Sequence, residues 1–286
     1  MSRQPGNARI VQLTSGAPGP CFFLVPGTGG RIDGFVKLAP YLQIPMPLFA
    51  IEARGLDEAS MPDTSVEDMA RHYLTRIRIV QAAGPYFLLG HSFGGLVALE
   101  MAQLLAEAGE RIACLIMLDT PPPEKYWPFF FYLRNCGKKL HRHITRVLTT
   151  PLHENLKSYR RKLSLNSIDL NHMPTDVMIE GDVARVSLAH GIARETYCLN
   201  FYSEKVIFFR ASEPPTGYEI LWCSRVRDLE IFSAAGGHLS MVELPHAPLL
   251  AVDLSECINK IIGGDAIATK SENESLVSHP LCPPIP

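Results

Sequence analysis

In the run Gly90-His91-Ser92-Phe93-Gly94-Gly95 a serine stands between two glycines, at a spacing that suits a nucleophile. An unactivated hydroxyl attacks poorly at neutral pH, so it needs a base within hydrogen-bond reach and a carboxylate that fixes the base's tautomer. Of the ten histidines, only His238 sits in a glycine-rich loop (Ala234-Ala235-Gly236-Gly237-His238) directly after an apolar run. His91 lies inside the serine motif and is expected to point away from it if Ser92 points out. His141, His143 and His153 read as surface groups. Asp119 follows the apolar run 112–118 and precedes Thr120-Pro121-Pro122-Pro123, a stiff turn that would aim its carboxylate at a histidine. Its bland alternative is to cap the segment that follows. Glu213, after the apolar run 206–209, is the competing acid, and the shorter side chain in the stiffer turn favours Asp119.

These residues need elements to hold them. Tyr86 to Leu89 is an apolar run after a Gly-Pro break, and Leu96 to Leu105 carries apolar residues at helical spacing up to a stop at Gly109. Ser92 thus falls on a strand–turn–helix, where the turn is so tight that its flanking positions must be glycines. The hydroxyl is held out near the positive end of the following helix. Cys21 to Val25 is a second buried run, ending in Pro26-Gly27-Thr28-Gly29-Gly30. A phosphate-binding loop would require Gly-Lys-Ser/Thr, and Arg31-Ile32 follows instead. That loop is expected to give the Thr28 N–H to an oxyanion hole, with the Phe93 N–H as the other donor.

Helix 35–42, strand 48–51 and a helix opened by the capping box Ser65-Val66-Glu67-Asp68 precede the serine strand; strands 206–209 and 229–232 and a helix 247–262 close the chain. Arg54 and Asp57 read as an ion pair within their loop. Alternation of helix and buried strand predicts a doubly wound, mostly parallel α/β sheet with its site at the carboxyl ends of the strands. The chain order Ser92, Asp119, His238 is that of α/β-hydrolases. Residues 1–20 read as a flexible arm that could add an edge strand around Ile10 to Leu13, residues 21–262 as the domain, and residues 263–286 as a disordered tail.

Residues 121–200 break the rhythm and read as a helical lid inserted into the domain. Between 121 and 162 stand ten lysines and arginines against two acids, which leaves the rest of the chain acidic. This is either a solvated face or a docking surface for an acidic or phosphate-bearing partner. The aromatic cluster 126–132, with Trp127, Phe130 and Phe131, would line an acyl pocket.

Composition bounds the rest. With 286 residues, 47% of them hydrophobic, and a formal net charge of -2, nothing points to nucleic acid. Seven scattered cysteines, with Cys21, Cys114 and Cys198 in apolar surroundings, suit reduced core thiols. No signal-like amino terminus and no run of membrane-spanning length occurs. A cytoplasmic protein, without membrane or metal, is the expectation.

Gly90-His91-Ser92-Phe93-Gly94-Gly95, Leu118-Asp119-Thr120-Pro121, Ala53-Arg54-Gly55-Leu56-Asp57 and Gly237-His238 together resemble the type I thioesterase domains that end non-ribosomal peptide and polyketide synthetases. The resemblance is close over about 20–120 and looser over 205–262, and the lid matches in position alone. It implies Asp119 as the acid. It implies no bound cofactor but a carrier-protein partner, whose phosphopantetheine thioester delivers an acyl or peptidyl chain to Ser92 for release as acid, lactone or lactam. A discrete editing thioesterase, a small-ester hydrolase without a carrier and a catalytically silent binding module on the same fold are the alternatives; the segment 53–57 argues against the first.

Overall fold

A computed structural model describes residues 8–57, 60–131, 133 and 181–268. Seven strands form one sheet: β1 (Arg9–Thr14), β2 (Phe22–Val25), β3 (Leu48–Glu52), β4 (Tyr86–His91), β5 (Ile112–Leu118), β6 (Tyr202–Ala211) and β7 (Val226–Ala234). Their order is β1-β3-β2-β4-β5-β6-β7. All pairs are parallel except β1 with β3, where Ile10 faces Ile51. The expected edge strand is therefore present at the amino end. The first-numbered residues of the arm lie outside the described residues.

The central strands are buried along their whole length: every residue of β2 and β4 is buried. Such runs need cover on both faces, and side chains that alternate along each strand supply two cores. On one face Phe22, Leu24, Leu48, Leu89, Ile116 and Phe209 pack with α1 (Asp33–Leu38) and the terminal helix. On the other, Phe23 stacks with Phe49 at 6.0 Å, beneath helices α2 (Val66–Val80) and α3 (Phe93–Glu107), which pack together. Ser65 caps α2 by accepting the Asp68 N–H, as the capping box requires.

The chain divides into two compact units, 1–123 with 182–286, and 124–181. The insertion is shorter than the expected lid. Helix α4 (Asp182–Thr196) belongs to the first unit, where Val186, Ala189, His190 and Ala193 are buried. Its next residue, Tyr197, donates to Glu100 of α3 at 2.8 Å. Arg185 of α4 donates to the carbonyls of Gly55 (3.0 Å) and Asp57 (2.9 Å). The ion pair expected between Arg54 and Asp57 is not what forms. Arg54 pairs with Asp63 at 2.7 Å, and Asp57 accepts from the Ser60 hydroxyl.

Two more helices belong to the first unit: the short α5 (Tyr218–Trp222) and the long α6 (Ala247–Ala268). α6 runs past Ile262, where the sequence expected it to stop, because Gly263 and Gly264 do not break it. Residues 269–286 lie outside the described residues. Cys21, Cys114 and Cys257 are buried thiols, but Cys198 is exposed, contrary to its apolar sequence context.

In the second unit Trp127 and Phe131 meet edge to face at 5.2 Å, and the Lys125 ammonium lies 5.3 Å from the Tyr126 ring centre. Most of the basic stretch, from Arg134 to Lys162, and its histidines His141, His143 and His153 lie outside the described residues.

Candidate active site

The carboxyl ends of four adjacent strands are stitched together by backbone hydrogen bonds. Ser92 donates its N–H to the Leu118 carbonyl at 2.8 Å, and Asp119 donates to the Phe209 carbonyl at 2.8 Å. Ser212 donates to the Ala234 and Gly236 carbonyls, each at 3.1 Å. The three chemistry-bearing residues sit on this edge, one after each of β4, β5 and β7. The sheet itself therefore fixes their spacing.

Ser92 has φ 54 and ψ -124, a left-handed conformation that costs a non-glycine residue on the order of 1–3 kcal/mol. The turn tolerates it because its neighbours are bare. A Cβ on Gly90 would strike the Gly94 carbonyl, one on Gly94 the Pro26 carbonyl, and one on Gly95 the Thr120 side chain. A Cβ on Gly27 would stand 3.2 Å from the Ser92 Cβ. The glycine pattern is thus a packing requirement on both sides of the serine.

Ser92 Oγ lies 2.8 Å from His238 Nε2, and His238 Nδ1 lies 2.7 Å from Asp119 Oδ2. Asp119 is completely buried and also adopts a positive φ of 44. Its other oxygen, Oδ1, accepts from the Ala211 N–H at 3.0 Å and from the Thr216 hydroxyl at 2.7 Å. Three donors around one buried carboxylate fix its orientation and satisfy its charge. With Asp119 accepting at Nδ1–H, the unprotonated Nε2 faces the serine hydroxyl, which is the tautomer that can take its proton. Of the two candidate acids, Asp119 is the one in contact with His238.

Above these groups opens a cavity of about 610 Å³, lined among others by Gly27, Thr28, Ser92, Arg194, Tyr218 and His238. The Phe93 N–H belongs to the first turn of α3, where N–H groups have no intrahelical acceptor. Thr28 is on the cavity wall, while Phe93 follows Ser92 directly as the first residue of α3 and does not itself line the cavity. Trp127, Phe130 and Phe131 fall in the second unit.

The sequence reading passed over Thr216 and His190, and it misdirected His91. Thr216 is far from Asp119 along the chain and belongs to no motif. His190 of α4 stacks on Phe93 with ring centres 4.7 Å apart, and burial pulls its pKa down to about 4. His91 was expected to point away from the elbow; instead its Nε2–H donates to the His238 carbonyl at 2.8 Å. Burial pushes its pKa down to about 4 as well. Among the described residues no group of three or more His, Cys, Asp or Glu side chains could hold a metal ion.

Comparison with known proteins gives this geometry its family. Residues 21–155 match the model of the thioesterase domain. That segment is of the thioesterase family. Its relatives include malpinin synthetase of Mortierella alpina, 42% identical over 102 residues that cover 36% of this chain and 1% of that protein. The nonribosomal peptide synthetase pngA of Aspergillus terreus is 29% identical over 62% of this chain and 18% of its own length. Atromentin synthetase greA of Suillus grevillei is 38% identical over 39% of this chain and 12% of its own length. The chain thus spans less than a fifth of each of these relatives. Among solved structures, the Vlm2 thioesterase domain with a bound dodecadepsipeptide superposes with a TM-score of 0.60 at 20% identity, over 87% of this chain and 99% of that one. The NocB thioesterase domain does so with a TM-score of 0.60 at 21% identity, over 90% and 99%. These establish the α/β-hydrolase fold, and with the family match they bear out the resemblance seen in the sequence. No helix among the described residues is long and apolar enough to cross a membrane.

Proposed function

We propose that this thioesterase domain releases an acyl or peptidyl chain from the phosphopantetheine thioester of a carrier protein, through an ester on Ser92, in the biosynthesis of a non-ribosomal peptide or polyketide. The observation that carries the reading is the continuous relay from Ser92 through His238 to Asp119, at 2.8 and 2.7 Å. His238 takes the Ser92 proton as Oγ attacks the thioester carbonyl, and returns it to the departing thiol. Asp119 stabilises the imidazolium between those two transfers. The Phe93 and Thr28 N–H groups hold the oxyanion of the tetrahedral intermediate. His238 then activates water, or a nucleophile within the chain, and the product leaves as acid, lactone or lactam.

Support for the carrier comes from the relatives, which are synthetases, and from the cavity, whose volume suits a chain rather than a small ester alone. The aromatic residues Trp127, Phe130 and Phe131 are assigned to the acyl end of the substrate, and the basic stretch around 134–162 to the carrier. The test is product release from a carrier protein loaded with an acyl or peptidyl chain. Wild-type protein should free the chain, and Ser92→Ala and His238→Ala should leave it on the carrier; equal release by all three would refute the proposal.

A further inference from the structure

His91 and Ser92 are consecutive in the chain, and both reach the same residue of the opposite loop. Ser92 Oγ meets the His238 imidazole at 2.8 Å, and His91 Nε2 meets the His238 backbone carbonyl at 2.8 Å. A carbonyl can only accept, so Nε2 of His91 carries the proton. The alternation of strand side chains should send these neighbours to opposite faces. It fails here because the positive φ of Ser92 turns the backbone at that point. Gly27 lies beside the same elbow, where a Cβ would be in ordinary contact with His91 Nδ1 at 3.6 Å and tighter against the His91 carbonyl at 3.3 Å.

The loop that carries His238 is fixed on either side. The Gly236 carbonyl accepts from the N–H groups of Ser212 and Glu213, and the Gly237 N–H donates to Ser240 Oγ at 2.9 Å. The carbonyl of the base itself is held by His91. The imidazole of His91 is almost wholly buried and neutral, as its pKa of about 4 requires. Its hydrogen bond is therefore uncharged and unaffected over the ordinary working range of pH.

We infer that His91 is a positioning residue, which holds the base loop at the elbow through the His238 carbonyl and so sets the distance from His238 Nε2 to Ser92 Oγ. This rests on the proposed roles of Ser92 and His238. Its consequence is kinetic: a base displaced by a fraction of an ångström still binds substrate but accepts the serine proton less often.

The test compares His91→Phe, which keeps a ring and removes the donor, with His91→Gln, whose amide N–H can reach the same carbonyl. Turnover of an N-acetylcysteamine thioester and the rate of Ser92 labelling by a fluorophosphonate are measured in the full chain. His91→Phe should lower kcat and the labelling rate about tenfold, with KM changed less than about twofold, and His91→Gln should recover most of the loss. An unchanged kcat in His91→Phe, a loss confined to KM, or no recovery in His91→Gln would overturn the inference. Should the variants fail to fold, nitrogen-15 spectra of histidine-labelled wild type decide: the Nε2–H tautomer of His91 at neutral pH supports it, and the Nδ1–H tautomer overturns it. His238→Ala is run alongside. Wild-type rates in that variant would remove the proposed function itself, whereas an inactive His238→Ala beside a fully active His91→Phe would remove only the role of His91.

Discussion

Replacing His190 by phenylalanine should flatten the acid side of this protein's stability curve. The imidazole is 3% exposed and lies against Phe93, and its Nδ1 has no hydrogen-bond partner among the described residues. An unfolded histidine takes up its proton near 6.5, and the folded one only near 4, because burial penalises the charged ring. Between those values the unfolded chain holds more protons than the folded one. Stability therefore rises with pH in this window and is lost as pH falls from about 6.5 toward about 4. At about 1.36 kcal/mol per pH unit, His190 removes on the order of 2 kcal/mol between pH 7 and pH 5, and about 3 by pH 4. His91 contributes a similar amount by the same mechanism. Together they approach the ~5–15 kcal/mol that a typical domain has in total. Phenylalanine keeps a ring over Phe93 and removes both the titration and the orphaned nitrogen. Urea unfolding, followed by fluorescence of the buried Trp222, is measured at pH 7, 6, 5 and 4.5 for wild type and His190→Phe. The variant should gain on the order of 2 kcal/mol relative to wild type between pH 7 and 5. Parallel curves would mean that His190 titrates normally, and the reasoning from burial would fail.

Thr216→Val removes the hydroxyl that bonds Asp119 Oδ1 at 2.7 Å while keeping its shape. Loss of one charge-assisted bond should lower kcat/KM about tenfold with the fold intact, and steady-state kinetics beside circular dichroism would check it; unchanged kinetics would show that Ala211 and His238 suffice to orient the carboxylate. Gly95→Ala drives a Cβ into the buried Thr120 side chain, whose Cβ would be 2.7 Å away. It should cost about 1–3 kcal/mol in urea unfolding, and a neutral result would show that the elbow helix can shift outward.

The sheet was legible because its strands are short and continuously apolar and its punctuation is local. Tyr86 to Leu89, Ile112 to Leu118 and the Ser65 capping box each carry their own signal, and the structure adds only a residue or a few at the ends of most of them. β1 was signalled only by its apolar patch Ile10 to Leu13, which Gln12 interrupts. Helix α4 was not, because it packs through small residues such as Ala189 and Ala193 and a histidine, with little contrast between its faces. The sequence therefore assigned it to the lid. Arg54 found Asp63 rather than Asp57, because Arg185 and Ser60 engage the loop at 55–57 in ways that only the tertiary fold brings about.

At the site, Ser92, Asp119 and His238 could be found from the sequence because each lies directly after a strand and the fold gathers those ends. Thr216 could not, since its partner is in a different part of the chain and a threonine between Pro215 and Gly217 carries no signal for bonding to a carboxylate. His91 was in plain view inside the motif. It was misdirected by an alternation rule that ceases to apply where the backbone of Ser92 turns to φ 54.

The central claim is that Ser92 carries the chain as an ester. Intact mass of the protein after mixing with an acyl or peptidyl N-acetylcysteamine thioester tests it most directly, with Ser92→Ala treated in parallel. A gain equal to the acyl group in wild type, absent in Ser92→Ala and decaying as free acid or cyclic product appears, is the predicted result. Product formed at the wild-type rate by Ser92→Ala, or an adduct of equal size in both proteins, would contradict it.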